Sequence, residues 1–314
     1  MLSAVGLSLV TTVESTCLFS GAGVNEFQNF NGSKITLSKD HLSAECKGMA
    51  IKTTLTPGSS AAQGSYTVSL TGGKNIHAEF TFQFNNAGYK LGPKGRFYMG
   101  NTSLTAGSPD GREQNYIRHV FVPSATVSGT VTVNGTQYNL AGTGLFIHAQ
   151  SDMKPYTVSQ KWNFGYFVGE DVALHMLQLI TPEKYGNVWV NKGAMSEGGK
   201  VVAVTDQSRI TMLETQRDSE TGYDVGSLVE FGWKGQTVDG KPFKAQITLR
   251  PSNLAKKLDI LGAVPFFLRK IIQALITKPY IYEWADQAVA TVQIGDEPER
   301  TIEGKLYHEA TFLN

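Results

Sequence analysis

Gly144–Val168, GLFIHAQSDMKPYTVSQKWNFGYFV, reads as strand, turn, strand. Leu145, Ile147 and Ala149 alternate with Phe146, His148 and Gln150 at the period of two that a strand imposes, and Asp152 to Pro155 then breaks the alternation with a proline-anchored turn. An aromatic run, Trp162 to Phe167, opens the next strand. Strand-like text lies on both sides, so the stretch reads as a seam between two β-rich halves, 1–151 and 152–314, with Asp152–Tyr156 as the link.

Upstream of the seam, Ile35–Leu37, Gly64–Leu70, Ile76–Phe84, Ile117–Val122, Val127–Val133 and Gln137–Ile147 are rich in β-branched and aromatic residues. Turn signals separate them, at Asn31-Gly32, Pro57-Gly58, Gly72-Gly73, Asp110-Gly111 and Asn134-Gly135. The alternation of Thr130–Tyr138 about Asn134-Gly135 predicts a tight two-residue hairpin with positive φ at both turn positions. Downstream, strands are expected at Trp162–Val168, Val172–Ile180, Asn187–Ala194, Val201–Thr205, Leu228–Trp233, Phe243–Leu249, Tyr280–Trp284, Val289–Ile294 and Gly304–Phe312. Leu213–Tyr223, with Glu214, Arg217, Asp218 and Glu220, reads as a solvated, mobile loop. The fold class is therefore all-β, an antiparallel barrel or sandwich in each half.

One helix interrupts the strands. Val264, Phe267, Leu268, Ile271, Ile272, Leu275 and Ile276 form one apolar stripe, Pro265 suits the first turn and Pro279 ends the run. This short amphipathic helix, near residues 264–277, carries Arg269 and Lys270, with Lys278 just beyond it. It either lies on a sheet or touches an anionic membrane through Phe267, Arg269, Lys270 and Lys278, since one stripe cannot be buried in both places.

Composition excludes several functions. With 28 Lys and Arg against 27 Asp and Glu, no charge excess steers the chain to nucleic acid. Two cysteines, Cys17 and Cys46, make no disulfide framework, and the scattered histidines give no zinc spacing, so no metal and no cofactor is expected. Met1–Phe19 is apolar, but no Lys or Arg precedes it and its residues alternate, so it reads as strand rather than secretory leader. No stretch has the ~20 apolar residues of a membrane-spanning helix. No nucleophile elbow, Walker loop, dinucleotide fingerprint or H-E-x-x-H helix occurs, and no catalytic residue is assigned. The candidate ligand-binding residues are His119 and His148, each next to bulky neighbours in a strand, with Met153 and Trp162 at the seam. Taken singly, each histidine reads first as a buried group bonded to the backbone.

YIRHVFVP (Tyr116–Pro123), HAQSDMKP (His148–Pro155), KWNF (Lys161–Phe164), ITPEKYG (Ile180–Gly186), Val264-Pro265, TKPYIY (Thr277–Tyr282) and EATF (Glu309–Phe312) occur in that order. Together they resemble the fungal survival-factor family of oxidative-stress and cell-survival proteins. The resemblance implies two lipocalin-like antiparallel β-barrels side by side and a non-enzymatic carrier of ceramide or a similar lipid. It further implies transfer from endoplasmic reticulum to Golgi, with the protein cytoplasmic, peripheral on those membranes and in part nuclear. Where the family has a His-His pair after Met-Lys-Pro this chain has Tyr156-Thr157, and where it has Phe-Trp-Pro this chain has Phe121-Val122-Pro123. Family members begin earlier, so the first domain is expected to lack its first strands. The alternative reading is a cofactor-independent enzyme, because related double-lipocalin folds include carotenoid hydratases and fungal cyclases.

Overall fold

A computed structural model describes residues 10–19, 22–31, 36–39, 43–46, 49–54, 64–70, 76–99, 115–151, 153, 155–259, 261 and 279–313. The expected helix near 264–277, with Phe267, Arg269, Lys270 and Lys278, lies outside the described residues, as do the expected turns at Pro57-Gly58, Gly72-Gly73 and Asp110-Gly111.

The strands, in order, are β1 (Val10–Phe19), β2 (Ala22–Asn31), β3 (Thr36–Leu37), β4 (Ser43–Cys46), β5 (Met49–Thr54), β6 (Ser65–Leu70), β7 (Ile76–Phe84), β8 (Arg96–Tyr98), β9 (Tyr116–Val133) and β10 (Thr136–Ser151). A single helical turn, α1 (Pro155–Val158), follows at the seam. Then come β11 (Lys161–Gly169), β12 (Val172–Ile180), β13 (Trp189–Glu197), β14 (Lys200–Thr205), β15 (Arg209–Arg217), β16 (Asp224–Gln236), β17 (Pro242–Leu249), β18 (Leu254–Asp259), β19 (Tyr280–Ile294) and β20 (Arg300–Phe312). The chain forms two compact units, one of Met1–Ala87 with Ala125–Gly144, the other of Gly88–Ser124 with Leu145–Asn314. Their boundary therefore crosses the chain inside β9 and inside β10, while Asp152–Tyr156 belongs wholly to the second unit.

In the first unit β1 and β2 pair by themselves, and β3 to β7 form a meander that continues through β9 to β10. Ala78, Val131 and Val133 form its buried centre, with Phe80, Tyr138 and Leu140 against them. The hairpin at Asn134-Gly135 has the expected positive φ, 50° and 82°. Gly129 sits opposite Phe80 at φ 143°, where a Cβ would come 2.2 Å from the Glu79 carbonyl oxygen, so no side chain fits there.

The sequence predicts a break between Val122 and Val127, yet β9 is continuous. Phe121 bridges Tyr89 and Ala125 pairs with Phe84, with Pro123 between those two pairings.

Besides β8 and the unit's share of β9 and β10, the second unit holds a ten-stranded antiparallel sheet in the order β14-β13-β12-β11-β20-β19-β17-β16-β15, with β18 also paired to β19. Its end strands, β14 and β15, are consecutive in the chain, so the sheet must curl to bring them together. It does, with β14 closing against the end of β16: Ala203 bridges Thr237, and the Val238 N–H donates to the Val202 carbonyl at 2.8 Å. This is a lipocalin-like barrel, and alternation sorts its faces. In β19 the inward residues are Tyr280, Tyr282, Trp284, Asp286, Ala288, Ala290 and Val292, all buried. One end of the interior is filled by aliphatic and aromatic side chains including Phe167, Leu174, Phe231, Trp233 and Leu306. The other end is aromatic, with Tyr280, Tyr282, Trp284 and Phe312.

Two further expectations change. Leu213–Arg217 is the end of β15, paired with Asp224–Leu228, so only the tip at 218–223 is a loop. β18 occupies the same edge of β19 as β17: β17 pairs with Ala290–Ile294 and β18 with Tyr280–Trp284. Neither its short length nor its Lys256-Lys257 pair announces a strand in the sequence.

Candidate ligand-binding site

β17 and β18 meet β19 on either side of a gap, and the loop between them turns at Arg250–Asn253. Asp286 fills that gap. Its Oδ1 accepts the Ser252 N–H at 3.0 Å, the Asn253 N–H at 2.9 Å and the Ser252 hydroxyl at 2.9 Å. Its Oδ2 lies 3.0 Å from His308 Nε2 on β20, and both side chains are almost fully buried. Burial alone would push this carboxyl up, but the bonds from His308, Ser252 and Asn253 outweigh it and hold it down at about 2.

Stacked on His308 is Trp284, centroids 4.9 Å apart and planes 9° from parallel, and Tyr282 continues the stack at 5.9 Å and 13°. Above these rings opens a cleft of about 610 Å³ whose walls include Val225, Ser227, Pro251 and Leu254. That volume falls within the roughly 300–1,000 Å³ of ordinary ligand pockets.

The rim of the cleft is charged and internally paired. Lys257 Nζ donates to Asp218 Oδ2 at 2.7 Å and to Glu220 Oε2 at 2.6 Å, and sits over the Tyr280 and Tyr282 rings. Asp218 also takes the Glu220 and Thr221 N–H groups on Oδ1, which fixes the β15–β16 turn, and the Tyr282 hydroxyl on Oδ2. Burial opposes the charge on both partners, yet these bonds hold the Asp218 carboxyl well below its usual range and the Lys257 ammonium above its own. Burial pushes the Tyr282 hydroxyl up to about 12. Arg250 makes a two-pronged contact with Glu214 at 2.6 and 2.9 Å, and Arg217 meets Asp224 at 3.4 Å.

The residues singled out in the sequence stand elsewhere. His119 is buried on the outer side of the second unit's sheet, 3.4 Å through Nδ1 from Lys192 Nζ and stacked on Phe121. Burial, then the charges of Lys192 and His148, lower its basicity to about 3. His148 is exposed on β10. Met153 is half-buried, its N–H donating to Ser151 Oγ at 3.0 Å. Trp162 is half-buried and donates through Nε1 to Glu309 Oε1 at 2.5 Å. The structure thus brings His119 near His148 but gathers neither with Met153 and Trp162, and none of the four lines the cleft.

Beside His119 lies a second buried polar cluster that the sequence reading missed. His175 on β12 pairs through Nδ1 with the Tyr89 hydroxyl at 2.7 Å, between Phe121 and Phe164, and its buried Nε2 has no hydrogen-bond partner among the described residues. Burial, then His119, lowers its basicity to about 3. Lys192 on β13 is buried with no carboxylate against it among the described residues, and burial lowers it to about 8. Both sit in strands among apolar residues, and only the pairing of β12 with β13 brings them close. For the cleft the signal was available: Tyr282, Trp284, Asp286 and His308 all fall on the inward register of their strands, where a polar residue is unexpected.

The sequence profile of the Svf1 family matches residues 2–314. The chain belongs to the Svf1 family. Among curated relatives, the ceramide-binding protein svf-1 of Neurospora crassa is 30% identical over 254 residues, covering 80% of this chain and 65% of that protein. The ceramide-binding protein SVF1 of Eremothecium gossypii is 27% identical over 300 residues, covering 92% of this chain and 71% of that protein. The chain thus spans a little under two thirds of the length of the Neurospora relative. Among solved structures, kievitone hydratase from Nectria haematococca aligns with a TM-score of 0.57 at 10% identity, covering 98% of this chain and 81% of that one. CghA with Sch210972 aligns at 0.56 and 9% identity, covering 93% and 77%. At these identities the two structures share the fold with this family member, and nothing follows for its chemistry.

Proposed function

We propose that this chain binds a ceramide-class lipid in the cleft of its second unit and carries it between membranes without chemical change. The observation that carries this reading is the family match, which places the chain among relatives named as ceramide-binding. The cleft supports the reading as a site of fitting chemistry. Its floor is the Tyr282–Trp284 stack and its rim offers both donors and acceptors, the division of labour an amphiphile with an apolar body and a hydroxylated amide head requires. The basic amphipathic text of 264–278 supports brief contact with an anionic membrane surface during loading. In this reading the lipid moves from endoplasmic reticulum to Golgi, feeding sphingolipid synthesis and supporting survival under oxidative stress.

The competing enzyme reading draws less from the geometry. His119 and His148 stand away from the cleft, and His308, the histidine nearest its floor, has Nε2 engaged by Asp286 beneath Trp284. Native mass spectrometry of the chain purified from a eukaryotic host tests the proposal: a bound mass matching a ceramide is expected, and protein that carries no lipid and extracts none from vesicles would sink it.

A further inference from the structure

Every cation lining the cleft is answered by a carboxylate. Lys257 is held by Asp218 and Glu220, which line the cleft beside it, while Glu214 and Asp224 stand behind Arg250 and Arg217, so each of the three lining cations already has its counter-ion. The pairs differ in how firmly they resist a competitor. The Arg250–Glu214 contact is bidentate, and Lys257 is doubly bonded and only about one-fifth exposed, so neither cation can turn to a new anion without abandoning a charge-assisted bond.

We infer that the rim of this cleft selects lipids with uncharged, hydroxyl-bearing head groups and rejects their phosphorylated counterparts. The inference rests on the proposed lipid-binding reading and adds the specificity of the same site. A phosphomonoester brings about −1.5 to −2 charges and only acceptor oxygens once ionised. Set at this rim it meets Glu220 and, beside it, Asp218, which has no proton to donate because Lys257 and the turn N–H groups keep it ionised far below neutral pH. A neutral head group meets the same carboxylates as hydrogen-bond acceptors for its hydroxyls. The Ser227 hydroxyl serves as a donor for its carbonyl, with no ion pair broken. The discrimination therefore comes from repulsion as much as from attraction. Glu220 is the lever, because it is exposed, it bonds Lys257 from the loop tip, and its side chain supports no part of the core.

The test is extraction from vesicles of neutral phosphatidylcholine carrying either a fluorescent short-chain ceramide or the 1-phosphate of the same ceramide, by the full chain and by its E220K and E220Q variants. The wild-type chain is expected to extract the neutral lipid at least about tenfold better, the factor that ~1.4 kcal/mol supplies. E220K should shrink that preference severalfold by improving uptake of the phosphate, with E220Q in between. Equal extraction of both lipids by the wild-type chain, or a preference unmoved in E220K, overturns the inference while leaving lipid binding intact. Extraction of neither lipid overturns the lipid-binding reading itself, and the inference with it.

Discussion

Asp286 Oδ2 lies 3.0 Å from His308 Nε2 across the β19–β20 pair, and the His308 ring is stacked on Trp284 at the floor of the cleft. This one diagonal contact joins three things: the filled end of the barrel, the aromatic end, and the Arg250–Asn253 loop that Asp286 pins through its other oxygen. Removing the carboxylate from such a buried pair costs about 3–5 kcal/mol. D286N should lower the unfolding free energy by that order, measured by urea denaturation.

The same residue sets an acid limb. Its carboxyl is held at about 2 in the fold against 3.8 ordinarily, so the stability it contributes is present above 3.8 and is lost as pH falls from there toward 2. Unfolding followed from pH 5 to pH 2 should show a steeper loss in the wild-type chain than in D286N.

His119 and His175 add a second pH dependence at higher pH. Both are lowered from 6.5 to about 3 by burial, so between those values the unfolded chain binds more protons than the folded one. Stability should therefore fall as pH drops through that window. Replacing His119 with Phe should flatten part of the fall, read as unfolding free energy at pH 7 and pH 5.

Lys192 costs the fold something. Burial lowers its ammonium from 10.5 to about 8, so folding works against its charge at neutral pH, and stability should rise as pH climbs from 8 to 10.5. K192M keeps the volume and removes the charge. It should raise stability at pH 7 by about 1–3 kcal/mol and abolish that alkaline rise.

Trp162 separates packing from binding. Its Nε1 donates to Glu309 Oε1, a carboxyl that burial pushes up and that Thr311 also bonds. W162F leaves that oxygen one donor short, a loss of about 1–3 kcal/mol. Thermal denaturation should show the loss, and ceramide uptake by the folded variant at 20 °C should match the wild-type chain.

Much of this architecture was legible. The alternation and turn chemistry of Thr130–Tyr138 give the hairpin with its positive φ pair, and the strands expected at Trp162–Val168, Val172–Ile180, Val201–Thr205 and Phe243–Leu249 fall close to their bounds, whereas β15 was not expected and β16 begins four residues earlier than Leu228. Order-bearing motifs such as TKPYIY and EATF pointed to the family that the profile match establishes. The site was harder to read. Cleft residues come from β15, β16, β18, β19, the β15–β16 turn and the loop after β17, which no local pattern connects, and Leu213–Arg217 reads as loop because it is charged and exposed on both faces. His119 and His148 drew attention as isolated ionisable groups. The more telling sign was Asp286, a charge on the inward register of an otherwise apolar strand.

The central claim is that the lipid sits on Tyr282 and Trp284 in the second unit's cleft, and photo-crosslinking with a diazirine-bearing ceramide followed by peptide mapping measures this directly. Crosslinks are expected to concentrate in the peptides that carry 216–227 and 280–284, and to be competed away by unlabelled ceramide. Competable crosslinks confined to peptides of 10–87 or 125–144 would contradict it.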